Sequence, residues 1–211
     1  MNHSEDRGET VSRRKRAATF ALRGAVGFGT GSVAAFLLMY APKMLPFGWF
    51  TGPLLGFPLS GVIGGLALVW PIRGDCNPLT VAAGYGAGFT VAGVVLPISL
   101  VAESHGVSFW FITIPFHAIG FAIGLGIGAA IGTAFISFRL ALIGAAAFAI
   151  GGLLGGTFLM PLFALVQLFL TIPPSSGDAV FFAVIFFEIF LSYAIGGALL
   201  GAAMGFLYDF D

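Results

Sequence analysis

The chain has 211 residues, a length that suits one domain, and 58 % of them are hydrophobic while 9 % are charged. A water-soluble domain carries about 25 % charged residues, so this composition excludes a soluble globular protein and predicts an integral membrane protein. The formal net charge is zero, so the chain lacks the basic field that nucleic-acid binding requires. The single cysteine, Cys76, excludes an intramolecular disulfide framework and a cysteine-rich metal site, and no cofactor is expected.

The hydrophobic residues come in long uninterrupted blocks, which favours transmembrane helices over the alternating strands of a membrane barrel. A helix needs roughly 20 apolar residues to cross a hydrocarbon core about 30 Å thick. The sequence therefore predicts an all-α, polytopic transmembrane bundle of six glycine-rich helices. The predicted spans cover about 19–41, 52–72, 78–101, 110–138, 140–162 with an extension to 170, and 179–208.

The first 17 residues are polar and mixed in charge, so we expect a flexible cytoplasmic tail before a transmembrane domain formed by residues 18–211. The basic run from Arg13 to Arg16 leads directly into the first span. Because this apolar block is longer than the core of a signal peptide and is broken by glycines, we interpret it as an uncleaved span.

The second and third spans carry two local signals. Asn77 followed by Pro78 predicts that the third helix begins there, with asparagine as the N-cap and proline at the first helical position. In the second span, small residues recur every four positions, which aligns them on one face of a helix. These residues are Gly52, Gly56, Ser60 and Gly64.

The fourth span lies in a stretch from Phe111 to Phe138 that holds no Asp, Glu, Lys or Arg over 28 residues. It contains a second ridge of small residues, and the sixth span contains a third. A face without side chains lets another helix backbone approach closely, which is how helices associate in lipid. We therefore predict helix packing along Gly120, Gly124, Gly128 and Gly132 in the fourth span and along Gly197, Gly201 and Gly205 in the sixth.

Arg139 alone separates the fourth span from the fifth, so the turn is very short and the two helices should be antiparallel neighbours. The sequence from Arg23 to Pro42 resembles that from Arg139 to Pro161, with an arginine, a glycine-rich helix, Leu-Met and a proline. Many transporters are built from internal repeats, so we consider a duplication, against the alternative of chance similarity between helices of low complexity.

The basic residues indicate the orientation of the chain. With the N-terminus inside, eight of the nine lysines and arginines lie on the cytoplasmic side or at its border, and only Lys43 lies outside. This asymmetry is the one that the positive-inside rule describes. The sequence therefore predicts a multi-pass protein of the plasma membrane with both termini in the cytoplasm.

Two ionisable residues fall within predicted spans, and such residues are costly enough to suggest function. His117 is 22 residues from Arg139 and Glu188 is 21 from Asp209, which places both side chains about 30 Å from the cytoplasmic border. His117 shares the arc of the glycine ridge in the fourth span. Glu188 lies on a different stripe of its helix, with Ser192, and therefore faces another neighbour, a cavity or the headgroup layer.

These two residues form the candidate polar site, for cation binding or proton relay. The structural alternatives are an interhelical hydrogen bond for His117 and, for Glu188, a carboxylate that snorkels to the outer surface or bonds to the backbone. Catalytic and metal-ligating residues are not predicted, because the sequence contains no nucleophile with a base and no spacing of metal ligands.

Two functions remain open at the level of sequence. The first is a small-solute permease or the membrane subunit of a transporter, which the glycine-dense spans, the prolines and the ionisable pair favour. The alternative is a non-catalytic assembly subunit that packs against a partner membrane protein or another copy of itself in the lipid bilayer. A transporter should enclose a polar-lined cavity at mid-depth, reached by His117 or Glu188. An assembly subunit should be tightly packed inside and leave a glycine ridge bare on its outer surface.

Overall fold

The computed structural model describes the backbone of residues 3–40, 48–70, 77–104, 110–170 and 177–207. Within these segments it describes the side chains of residues 10–38, 54–70, 77–95, 119–157 and 186–207. The described chain is all-helical. Its six helices are α1 His3–Tyr40, α2 Gly48–Val69, α3 Pro78–Ser104, α4 Trp110–Ala134, α5 Phe138–Leu170 and α6 Gly177–Leu207.

Helix α1 begins at His3, so residues 3–17, for which the polar composition predicts a flexible tail, lie in a helix that continues into the first span. The polar composition of this segment indicates that it is not buried, but a solvent-exposed segment can still be helical. Once the apolar part of α1 has formed, each further residue adds one hydrogen bond without a new nucleation step. The sequence also contains no proline before Pro42 to stop the helix.

The beginning of α3 follows the local sequence signals. Asn77 Oδ1 accepts a hydrogen bond of 2.9 Å from the backbone N–H of Leu79, which satisfies one of the free donors at the start of a helix. The helix begins at Pro78, where the missing N–H of proline costs nothing. The predicted N-cap is therefore confirmed.

The turn between α4 and α5 is as short as the position of Arg139 predicts. The N–H groups of Ile136 and Ser137 both donate to the carbonyl of Thr133, at 2.9 and 3.1 Å. Ser137 Oγ then accepts a bond of 3.2 Å from the N–H of Leu140 and caps α5. Since Gly126 lies against Ala145 and Gly152 against Ala122, the two helices are antiparallel neighbours.

The six helices form a closed ring in chain order. Each packs along the helices before and after it, and α6 returns to pack along α1. Gly24 lies against Gly197 and Gly205 against Arg16, so α6 runs antiparallel to α1 and ends beside its basic segment. We call this end of the bundle, which holds Arg16, Arg23 and Arg139, the basic end.

The outer surface of the ring is apolar. On α4, each isoleucine that immediately precedes a ridge glycine points outward, with exposed fractions between 37 and 54 % for Ile119, Ile123, Ile127 and Ile131. In water such a surface would drive association. Among the described side chains, four helical stretches are long and apolar enough to cross a membrane: Thr10–Leu38, Pro78–Val95, Phe138–Thr157 and Phe186–Leu207. Two apolar stretches are shorter, Leu54–Val69 and Ile119–Ala134. The fold is thus compatible with an integral membrane protein.

The face of α4 that packs against α3 is formed by its ridge glycines. A methyl group built on Gly128 would lie 2.7 Å from the ring of Phe89, and one built on Gly124 would lie 3.0 Å from the Cα of Ala92. At Gly120 the nearest atom of a described side chain, on Val95, is 3.6 Å away, an ordinary contact distance. Gly124 and Gly128 therefore lie in close contact with α3.

The centre of the ring is filled by aromatic side chains contributed by every helix. These residues, which we call the aromatic cluster, are fully or almost fully buried: Phe28, Phe57, Tyr85, Phe89, Phe121, Phe148 and Tyr193. Their ring centroids lie 4.8 Å apart for Phe28 and Phe148 and 5.1 Å apart for Phe89 and Tyr193, within the range of favourable ring packing.

Candidate functional site

The three helical hairpins, α1–α2, α3–α4 and α5–α6, pack through equivalent contacts. In each hairpin a glycine of the first helix lies against a backbone carbonyl of the second. The pairs are Gly31 with Ser60, Gly88 with Gly128, and Gly151 with Ser192. One turn away, the facing pairs are Ala35 with Gly56, Ala92 with Gly124, and Gly155 with Glu188. The ring is therefore a threefold arrangement of hairpins as well as a ring of six helices.

The same register relates the aromatic residues of the first helices. Phe28, Tyr85 and Phe148 each lie three residues before the glycine of the equivalent contact, and each is fully buried in the aromatic cluster. The Phe28 ring contacts the Tyr85 ring at 5.3 Å and the Phe148 ring at 4.8 Å. Sequence comparison of the first and fifth spans suggests two related helices, and the packing adds α3 as a third equivalent one.

Polar groups interrupt this symmetry at a few positions inside the ring. The Tyr85 hydroxyl and Ser192 Oγ are completely buried and have no hydrogen-bond partner within the described part of the chain. The Tyr193 hydroxyl also lacks a hydrogen bond of normal geometry, although the Ser60 side chain lies beside it. Ser60 donates its own proton to the carbonyl of Phe57 at 2.7 Å. An unpaired buried hydroxyl costs about 1–3 kcal/mol, so these groups reduce the stability of the bundle.

Glu188 is the one acidic side chain among those described, and only 4 % of its surface is exposed. Its backbone carbonyl would lie 2.9 Å from a methyl group on Gly155, and the Oγ of Ser192, one turn further on, fills the notch at the same glycine. The structure thus shows Glu188 buried, with its backbone packed against α5. Glu188 is not exposed toward a headgroup layer.

The sequence-predicted partner, His117, lies in α4, but its side chain is outside the described residues, as is that of Gly52 in α2. Helices α4 and α6 both pack along α5, so the ring places α5 between the helices that carry His117 and Glu188. Because the His117 side chain is not among the described residues, the joint site remains a prediction.

Sequence reasoning found Glu188, and Ser192 on the same stripe, but missed that the hydroxyl groups inside the ring lack partners. Tyr85 and Tyr193 read as ordinary aromatic residues of a membrane helix, and Ser192 reads as a small residue. One available signal was that α3 has a tyrosine, Tyr85, at the position where α1 and α5 have the phenylalanines Phe28 and Phe148. That correspondence becomes visible only when the packing register of the hairpins is known.

Within the described part of the chain, no three His, Cys, Asp or Glu side chains come together as a metal site would require. Comparison with protein-family models, with curated proteins and with solved structures finds no match. The function must therefore be argued from the buried polar groups and their surroundings.

Proposed function

We propose that the chain is a multi-pass protein of the plasma membrane in which all six helices cross the bilayer and both termini are cytoplasmic. Helices α2 and α4 have 22 and 25 residues, which at 1.5 Å each correspond to roughly 33 and 38 Å and suffice for a core of about 30 Å. The arginines at the basic end support the assignment of that end to the cytoplasm.

Within this membrane protein we propose a non-enzymatic transport function, as a small-solute permease or as the membrane subunit of a transporter. The observation that carries this proposal is the buried carboxyl group of Glu188 together with the unpartnered hydroxyls of Tyr85 and Ser192. A protein selected only for packing would replace these groups by apolar ones of the same shape at no loss of stability. Polar groups kept inside a membrane bundle are typical of a solute or ion pathway.

The aromatic cluster corresponds, in this proposal, to the closed state of the pathway. Its rings contact one another across the centre of the bundle, as Phe57 contacts Phe121 at 5.8 Å and Tyr193 at 6.1 Å. A solute would have to separate these rings to pass. Opening between hairpins is the motion that internal repeats generally allow in transporters.

The competing proposal, an assembly subunit that binds a partner membrane protein or a second copy, is favoured by the same filled interior. It also requires an outer surface made of small residues, on which a partner helix can pack. Every glycine among the described side chains is buried within the ring except Gly120, which is half-buried. The described surface therefore supports transport better than assembly.

The transport proposal is tested by reconstituting the full chain in liposomes and measuring the flux of labelled small cations, anions and neutral solutes. We expect flux of at least one solute, and its loss in the double variant Glu188→Gln, His117→Ala, with the folded yield retained. The single variants show whether the two residues act together. If no solute moves and the protein purifies in a fixed ratio with another membrane protein, the assembly function replaces this proposal.

A further inference from the structure

We infer that α1 carries a binding site for the headgroup of an anionic phospholipid, formed on its outward side by Lys15, Thr19 and Arg23. We call these three residues the α1 basic face. The inference goes beyond the proposed transport function, because it rests on the proposed placement of the chain in the bilayer and holds whether or not a solute is carried.

The α1 basic face is turned away from the packed interior. Lys15, Thr19 and Arg23 recur every fourth residue, so they follow one another along one side of the helix. Lys15 and Thr19 are exposed, and Arg23 is half-buried. Helix α6 packs against a different side of the same segment, where Gly201 lies against the backbone of Phe20. The basic face therefore meets the surroundings of the bundle.

An exposed apolar surface continues from this face toward the middle of α1. Leu22 and Val26 lie 7 and 11 residues after Lys15, within about 20° of it around the helix. Their side chains are 66 and 55 % exposed, as suits residues that contact acyl chains. A phospholipid with its chains along Leu22 and Val26 would have its headgroup beside the α1 basic face.

The side chains of the face suit a phosphate group. The Arg23 guanidinium lies 5.7 Å from the centroid of the Phe20 ring, three residues nearer the basic end. The arginine thus extends toward the headgroup layer, as long basic side chains do near a membrane interface. Thr19 is short, and its hydroxyl already donates to the carbonyl of Lys15 at 3.0 Å. Two cationic side chains therefore flank a short one, and a phosphate there would be bound by charge.

The order of charges along α1 favours an anionic lipid over a zwitterionic one. From residue 10 to residue 40 the sequence has five basic residues and no acidic one. The acidic residues Glu5, Asp6 and Glu9 belong to the part of α1 that lies farther from the bundle. Basic clusters next to a membrane helix attract anionic headgroups, whereas the amine of a zwitterionic headgroup would be repelled.

The test uses the purified full chain in mild detergent and two lipids with identical acyl chains, phosphatidylglycerol and phosphatidylcholine. Bound lipid is counted by native mass spectrometry, and stabilisation is measured as a shift in Tm. We expect phosphatidylglycerol to bind about tenfold more tightly and to raise Tm. Glycerol phosphate, which has the phosphate but no acyl chains, should leave Tm unchanged at the same concentration.

Variants locate the binding. Arg23→Gln and Lys15→Gln should each weaken phosphatidylglycerol binding about fivefold and leave phosphatidylcholine binding unchanged. Arg139→Gln is the matched control, because it removes the same charge from an exposed arginine near the start of α5, at the same end of the bundle. We expect it to weaken binding about twofold or less. If Arg23→Gln does not fold, the exposed Lys15→Gln provides the same comparison.

Equal affinity for the two lipids would overturn the inference. A loss in Arg139→Gln as large as the loss in Lys15→Gln would also overturn it, since the charge of the whole basic end would then explain the binding. An equal Tm increase from glycerol phosphate would show a site for a soluble phosphate instead. If the reconstituted protein carries a solute but does not distinguish the lipids, the lipid site is wrong while transport stands. If it prefers phosphatidylglycerol and carries no solute, transport fails and the lipid site stands.

Discussion

The hairpins α1–α2 and α5–α6 share an equivalent close contact between their helices, but the glycine at this contact lies on the second helix in one hairpin and on the first helix in the other. In the first, Gly56 of α2 lies against Ala35 of α1. At the equivalent contact of the third, Gly155 of α5 lies against Glu188 of α6. Because the glycine is on α5, the facing position on α6 can hold a large side chain without separating the helices. The difference shows how one carboxyl group can be introduced into a tightly packed ring while the backbone contact is kept.

The largest expected effect tests whether the hairpins are equivalent at all. Gly31→Leu, Gly88→Leu and Gly151→Leu each insert a side chain against a backbone carbonyl of the neighbouring helix, and overpacking of this kind costs about 3 kcal/mol or more. We expect loss of most folded protein in all three, measured as the monodisperse fraction in detergent. Gly120→Leu, whose nearest described neighbour is 3.6 Å away, is the control and should fold. If Gly151→Leu folds well while Gly31→Leu does not, the two hairpin contacts are not equivalent.

A second prediction concerns Gly155, which lies on the first helix of its hairpin, whereas the equivalent Gly56 lies on the second. Gly155→Ala places a methyl group against Ser192 Oγ, with the Glu188 carbonyl at 2.9 Å, and should destabilise the protein by about 2 kcal/mol. Adding Ser192→Gly should recover part of this loss, because one of the two clashes is with a side chain. In Gly56→Ala the clash is with the backbone of Ala35, whose oxygen would be 2.7 Å away.

Adding Ala35→Gly to Gly56→Ala should therefore recover little. The free energies of unfolding of the four members of each double-mutant cycle, measured in mixed micelles, give the coupling. Equal coupling energies in the two hairpins would contradict the idea that Gly56 and Gly155 pack against different kinds of group, a backbone in α1–α2 and a side chain in α5–α6.

The third prediction exchanges residues between equivalent positions of the aromatic cluster. Tyr85→Phe removes a buried hydroxyl that has no described partner and should raise stability by about 1 kcal/mol. Phe28→Tyr adds a hydroxyl at the corresponding position of α1, where Phe28 is also fully buried, and should lower stability by a similar amount. The stability change of each variant is measured as a change in Tm under identical conditions. Destabilisation by Tyr85→Phe would show that the hydroxyl has a stabilising partner.

The most local effect is expected at the start of α3, on the basic end. Asn77→Ala removes the side chain that caps α3 and should cost about 1 kcal/mol. Asn77→Asp keeps the acceptor and should cost less. Hydrogen exchange of the first turn of α3 reports the change locally, and unchanged exchange after Asn77→Ala would mean that packing against the neighbouring helices alone holds the helix start.

The candidate site was only partly accessible from sequence. Glu188 is visible because an acidic residue within a long apolar segment is unusual, and its burial against a neighbouring helix is one of the alternatives that its helical stripe allows. The unpartnered state of Tyr85 and Ser192 depends on what the other helices place beside them, which no local pattern records. The extent of α1 was also inaccessible, because a polar segment gives no sign of whether an adjoining helix will extend through it.

The sequence by itself determined that this chain is helical and apolar, where Asn77 starts a helix, and that α4 and α5 are joined by a minimal turn. Those properties depend on hydropathy and on hydrogen bonds between residues a few positions apart. Only the tertiary structure decided that the helices close into a ring of three equivalent hairpins and that the glycine facing Glu188 belongs to α5. Contacts between helices depend on which faces meet, and glycines every fourth residue fit several partners equally well until the whole ring is assembled.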